Sequence, residues 1–182
     1  MRFLKRSIAL TFTILAFSIF CSGQVFPAPD GEFYTEYDRF KDQTTSWLMQ
    51  MQVAEKKYDF DYQRIYVSVF VQFPSTKPTK KPDQIGIMFT SWSLFNDRFT
   101  TPPALDAIID GGQRKAYGYM TPVSRRVING KYVVSLATVM SADDFNKLIR
   151  AKRVEMRLGD VEFSLDEHAF KMMRDYVTRI TP

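Results

Sequence analysis

From Ser141 to Ile180 the apolar positions change period twice, first helical, then alternating, then helical again. The spacing predicts a helix opened by Ser141 as cap, with Met140 and Phe145 as a hydrophobic staple, Asp143 and Asp144 in its first turn, and Lys147 and Arg150 in its last. Gly159-Asp160 then predicts a two-residue hairpin turn that sets Leu158 opposite Val161, Met156 opposite Phe163, Val154 opposite Leu165 and Arg157 opposite Glu162. A second helix follows, with either Ser164 or Asp166 as cap. Its apolar stripe is Phe170, Met173, Val177 and Ile180, and a sheet is the expected partner for it.

The earlier chain reads as strands. Trp47, Met49, Met51 and Val53 alternate with Ser46, Gln50 and Gln52, broken by Leu48, which predicts a strand with one buried face. Ile65, Val67, Val69, Val71 and Phe73 alternate more strongly, and Tyr66 and Phe70 on the other parity suggest a central strand covered on both sides. Further strands begin at Ile85, Leu105, Tyr117 and, after the Asn129-Gly130 turn, at Tyr132. Between the second and third strands lies Pro74 to Pro82, with proline at every fourth position and Lys77, Lys80 and Lys81 among them; this must be a stiffened, exposed loop. The expected fold is mainly β (α+β), an antiparallel β-sandwich or strongly curved sheet of about seven to nine strands. Two C-terminal helices flank a β-hairpin. Residues 37–182 are expected to form a single β-rich domain, after an extended lead-in over 24–36 rich in Pro and Gly.

Residues 1–23 change how composition is weighed. Arg2, Lys5 and Arg6 precede an uncharged run to Phe20 and the small residues Ser22 and Gly23, the order of a secretory signal peptide with cleavage before Gln24. Processing at Cys21 with attachment of a lipid anchor is the alternative; Phe20 disfavours it, and an unmodified intact mass beginning at Gln24 would separate the two. Without those residues 22 basic and 20 acidic side chains remain, so the net charge falls from +5 to +2 and nucleic acid is not an expected partner. Membrane contact is expected only through a lipidated Cys21. Cys21 is also the only cysteine, so an exported chain would hold together by its core alone. None of the three Asn residues starts an Asn-x-Ser/Thr sequon. A periplasmic or extracellular bacterial envelope protein is the expected setting.

The candidate chemistry is sparse. His168 is the only histidine, expected at the surface in the first turn of the last helix, and there is no Walker A loop, nucleophile elbow or EF-hand spacing. No cofactor or metal is implied; Met49, Met51, Met172 and Met173 read as core rather than copper ligands. A carboxylate hydrolase needs only two acids, and Asp59 with Asp61 is the closest-spaced pair. Tyr58, Phe60 and Tyr62 alternate with polar residues and would form a stacking surface for a glycan or other extended ligand if exposed on one strand face. A change of parity near Asp61 to Arg64 predicts a turn or bulge there. Lys77, Lys80 and Lys81 are candidates for an anion-binding loop. The expected function is a non-enzymatic interaction or structural domain of the cell envelope, with a protein or glycan partner; the alternatives are the glycan-binding module and the hydrolase.

Overall fold

The computed structural model describes residues 31–59 and 61–182, which form ten strands and two helices. Six strands make one curled, half-barrel sheet: β1 (Phe33–Asp38), β2 (Gln43–Lys57), β3 (Tyr62–Pro74), β4 (Gln84–Ser93), β7 (Thr121–Ile128) and β8 (Lys131–Ser141). They lie in the order β1-β2-β3-β4-β8-β7. A second sheet has the order β10-β9-β5-β6, with β5 at Ala104–Ile109, β6 at Arg114–Tyr119, β9 at Val154–Leu158 and β10 at Val161–Ser164. All pairings are antiparallel. At Met120, buried and bonded through its amide to the Pro103 carbonyl at 2.8 Å, one stretch of chain leaves the small sheet as β6 and enters the large one as β7.

The C-terminal unit folds as its periods require. Helix α1 (Ala142–Arg150) is capped by Ser141, whose hydroxyl accepts from the Asp144 amide at 3.1 Å; helix α2 (Glu167–Arg179) is capped by Asp166, not Ser164, through the Ala169 amide at 2.7 Å. Such caps contribute about 1 kcal/mol each. The β9–β10 register pairs Leu158 with Val161, Arg157 with Glu162 and Met156 with Phe163. Gly159 takes φ +62 at the turn, a conformation that a side chain would strain. Arg157 faces Glu162 but turns its guanidinium to the other neighbouring strand, where Asp106 accepts at 3.0 Å.

Between the sheets and under the helices lies one continuous core. Leu48, Ile65, Val69 and Leu136 from the large sheet meet Leu105 and Leu158 from the small one, with Phe145, Phe170 and Met173 from the helices. Side chains of this size contribute roughly 1.5–3 kcal/mol each on full burial. Tyr176, absent from the sequence-derived stripe, is fully buried and donates its hydroxyl to the Ser46 carbonyl at 2.6 Å, fastening α2 to β2. Burial raises its pKa above the ordinary phenol value.

Two expectations fail for physical reasons. Trp47, Met49, Met51 and Val53 do not share a buried face, because Leu48 pairs with Val69 and Met51 with Val67, leaving one extra residue on β2. This bulge turns both Leu48 and Met51 into the core and puts Trp47 on the opposite face, against Phe70 at a ring separation of 4.8 Å. The Gln50 amide freed by the bulge is satisfied by the Ser68 hydroxyl at 3.0 Å. The second failure is that regular structure begins at Phe33, inside the stretch expected as a lead-in and ahead of Tyr37. Residues 1–30, with the expected signal sequence and Cys21, lie outside the described residues.

Candidate functional site

The two ends of the large sheet carry the sequence-derived candidates. At one end, the amide of Tyr58 bonds to the Asp61 carbonyl at 2.8 Å, so Asp59 lies in the turn between β2 and β3 rather than in a strand. Phe60 itself lies outside the described residues. Tyr58 and Tyr62 therefore do not share one extended face: Tyr58 lies across from Asp61, while Tyr62 pairs with Lys57 and points to the other side. A cation lies against each of these half-buried rings. Arg98 sits 3.8 Å over the Tyr58 ring, Arg64 lies 4.8 Å from that of Tyr62, and the Tyr58 hydroxyl donates to Gln63, which is fully buried and bonded to Ser91.

Asp61 is the hub of this end. Its carboxylate accepts from the Leu94 amide at 2.8 Å, the Tyr62 amide at 2.7 Å and Arg98 at 2.7 Å, tying the hairpin tip to the loop after β4. Burial alone would raise its pKa, but the Leu94 amide, Arg98 and the Tyr62 amide together hold it below the ordinary carboxylate range. Asp59 is exposed and makes no comparable set of bonds. An inward, ionised, fully engaged Asp61 beside an outward Asp59 is a structural arrangement, not the pair of facing acids that glycoside hydrolysis needs.

The opposite end holds a groove of about 770 Å³, within the usual range of ligand sites, roughly 300–1,000 Å³. Its floor is the face of the large sheet turned away from the core. Phe70, Gly86 and Val139 are neighbours across β3, β4 and β8 there. The ring of Phe70 lies directly on Gly86: a β-carbon at that glycine would stand 2.1 Å from the ring. Around it, Phe70, Met88 and Ala137 form a small cluster, separate from the main core, against which Trp47 and Val123 pack.

The Pro/Lys loop overhangs this floor. Its start is pinned by a bond from the Ser75 amide to the Asp42 carbonyl at 2.8 Å and by Thr44, whose hydroxyl donates to the Ser75 carbonyl; its end is pinned by the Ala142 amide on the Asp83 carbonyl at 3.0 Å. Lys80 and Lys81 from this loop and Lys41 from the β1–β2 turn border the groove, with the carboxamides of Gln43, Gln72 and Gln84 along it. Lys77 is exposed on the same loop but not on the groove wall. Lys80 reaches Asp83 in a loose, exposed pair of 3.5 Å, Lys41 lies 3.7 Å from Asp38, and Lys81 has no ion-pair partner among the described residues. Gln72 donates to Thr45 at 3.3 Å, which holds its carboxamide over the strands. Sequence reasoning found the loop and the second apolar face of β3 separately; a glycine at 86 inside a strand was the unused signal that something packs close above it.

A second hollow, of about 490 Å³, lies on the small sheet around Asp106, whose one carboxylate oxygen accepts from Arg114 at 2.6 Å and Arg157 at 3.0 Å. Arg114 foremost, with Arg157, holds the Asp106 carboxyl below its ordinary range despite burial. Arg153 there pairs with Glu155 at 2.7 Å, so the three arginines of this hollow are all engaged. His168 is exposed in the first turn of α2. Met51 and Met173 are core residues, and Met49 and Met172 are half-buried. Among the described residues no group of three or more His, Cys, Asp or Glu side chains converges as a metal site.

Against family models, curated proteins and solved structures, the chain finds no match.

Proposed function

We propose that this protein is an exported, non-enzymatic β-rich binding domain of the bacterial cell envelope, and that its binding surface is the groove beneath the Pro/Lys loop. The export half rests on the residue pattern of 1–23 and on a single cysteine within it. The observation that carries the binding half is the pairing of an apolar floor at Phe70, Gly86 and Val139 with a rim of lysine and glutamine side chains, of which Lys80 and Lys81 are exposed. A groove with an apolar base and a few convergent polar groups is the usual form of a recognition site. Of the acids a hydrolase would need, Asp61 is held ionised by the Leu94 amide, Arg98 and the Tyr62 amide, which suits anchoring and not proton donation, and Asp59 is exposed beside it.

Replacing residues 76–81 with a short Gly/Ser linker tests this reading. On an array of envelope polysaccharides and peptides the intact protein is expected to retain at least one class of polymer, and the loop-replaced protein to lose it while melting at the same temperature. Equal retention by both proteins would place the binding surface elsewhere.

A further inference from the structure

Resting on that reading of the groove, we infer that its ligand is a carboxylate-bearing polysaccharide, a chain of sugars that includes uronic acids. Three observations point to this class. First, the cations bordering the groove are Lys41, Lys80 and Lys81, against a single acid, Asp83, so the wall is net positive in a molecule that is otherwise nearly neutral. Electrostatic complementarity therefore selects an anionic partner. Second, none of the bordering residues is an arginine. Ammonium groups act as point charges, whereas the bidentate fork that favours phosphate is missing from the wall. Arginines are instead spent inside the fold, at Asp61 and Asp106.

Third, the lysines share the wall with carboxamides. Gln43, Gln72 and Gln84 each offer both a donor and an acceptor, which matches sugar hydroxyls, groups that likewise donate and accept. An acidic peptide would meet the lysines but would bring its own backbone amides and carbonyls, best satisfied by an open strand edge. The groove instead lies over β3, β4 and β8, whose ladder bonds are already made to one another, with half-buried Val139 offering carbon to the apolar face of a sugar ring and the buried Phe70 ring packed on Gly86 as its support.

Polygalacturonate, dextran and poly-L-glutamate separate charge from sugar. Measured by titration calorimetry on the exported chain, polygalacturonate is expected to bind at least about tenfold more tightly than either other polymer, and to weaken as salt screens the lysines. The triple variant Lys41→Gln, Lys80→Gln, Lys81→Gln is expected to lose about tenfold in affinity for it with an unchanged melting temperature. The double variant Gln72→Leu, Gln84→Leu should lose affinity for polygalacturonate while leaving the weak binding of polyglutamate as it was. Polyglutamate binding as tightly as polygalacturonate, or an unaffected triple variant, would overturn the inference. Dextran bound in a loop-dependent way, without polygalacturonate, would also overturn it and leave the binding-domain reading standing. Loop-independent binding of all three would end both.

Discussion

The two ends of the large sheet are built from the same materials, aromatic rings and long cations, and use them in opposite ways. At the hairpin end the cations are engaged by carboxylates and rings: Arg98 covers Tyr58 and binds Asp61, Arg64 covers Tyr62 and binds Glu55 at 2.7 Å, and Arg125 binds Asp97. At the loop end the cations are exposed lysines, above an aromatic floor that the sheet itself holds in place. What separates an anchor from a site here is whether polar groups are consumed within the fold. Composition is silent on this, because it counts residues without their partners.

The sharpest way to break the contrast is to remove its anchor. Asp61→Ala leaves Arg98 and two backbone amides without their acceptor in a buried setting and is expected to cost about 3 kcal/mol in denaturant unfolding, with groove binding intact. The same carboxylate gives a pH signature. Its pKa is lowered on folding, so the unfolded chain binds the proton more readily; its contribution is complete above the unfolded value of roughly 3.9 and fades as pH falls through the lower folded value. Asp61→Asn should therefore flatten the acid limb of the stability curve below about pH 4. An unchanged acid limb would show that the hairpin end does not depend on this charge.

A smaller effect is expected from Gly86→Ala. The added methyl group meets the Phe70 ring, so the ring must lift into the groove, at a cost of about 1–3 kcal/mol of overpacking. Binding and stability should fall together in this variant, unlike Asp61→Ala. The smallest effect sharpens the comparison from the other side: Lys80→Gln with Lys81→Gln should move stability by no more than about 0.5 kcal/mol, since both side chains are exposed. A large loss of stability there would mean that the loop lysines are anchors too.

Much of the fold was legible because local signals agreed with one another. Ser141, Gly159 and the alternating faces of β9 and β10 each specified the same register, and the two helices followed. The division into two sheets was not legible, since Gly118 and Pro122 mark a break around Met120 but not that the chain changes sheet there. β2 misled because a bulge reverses which parity is buried, and the residue that seemed to interrupt the pattern, Leu48, was in fact on the core side. The aromatic triplet at 58–62 misled for a similar reason: alternation in sequence does not survive a turn in the middle of it. For the groove, Phe70 and the lysines were visible singly, but their meeting depends on β3 pairing with β4 and on the loop between them folding back over the floor.

The order of strands also bears on when the chain can fold. β4 pairs with β8, joining Gln84 to Ser141, and the whole of β5, β6 and β7 is made in between. The large sheet thus cannot close until nearly the last quarter of the chain is available, and the helices that seal its core come later still. Proteins dominated by such distant pairings fold on a scale of roughly milliseconds to seconds, far slower than helical bundles. The export we propose would gain from that delay, because a chain that crosses a membrane must do so before it acquires its shape.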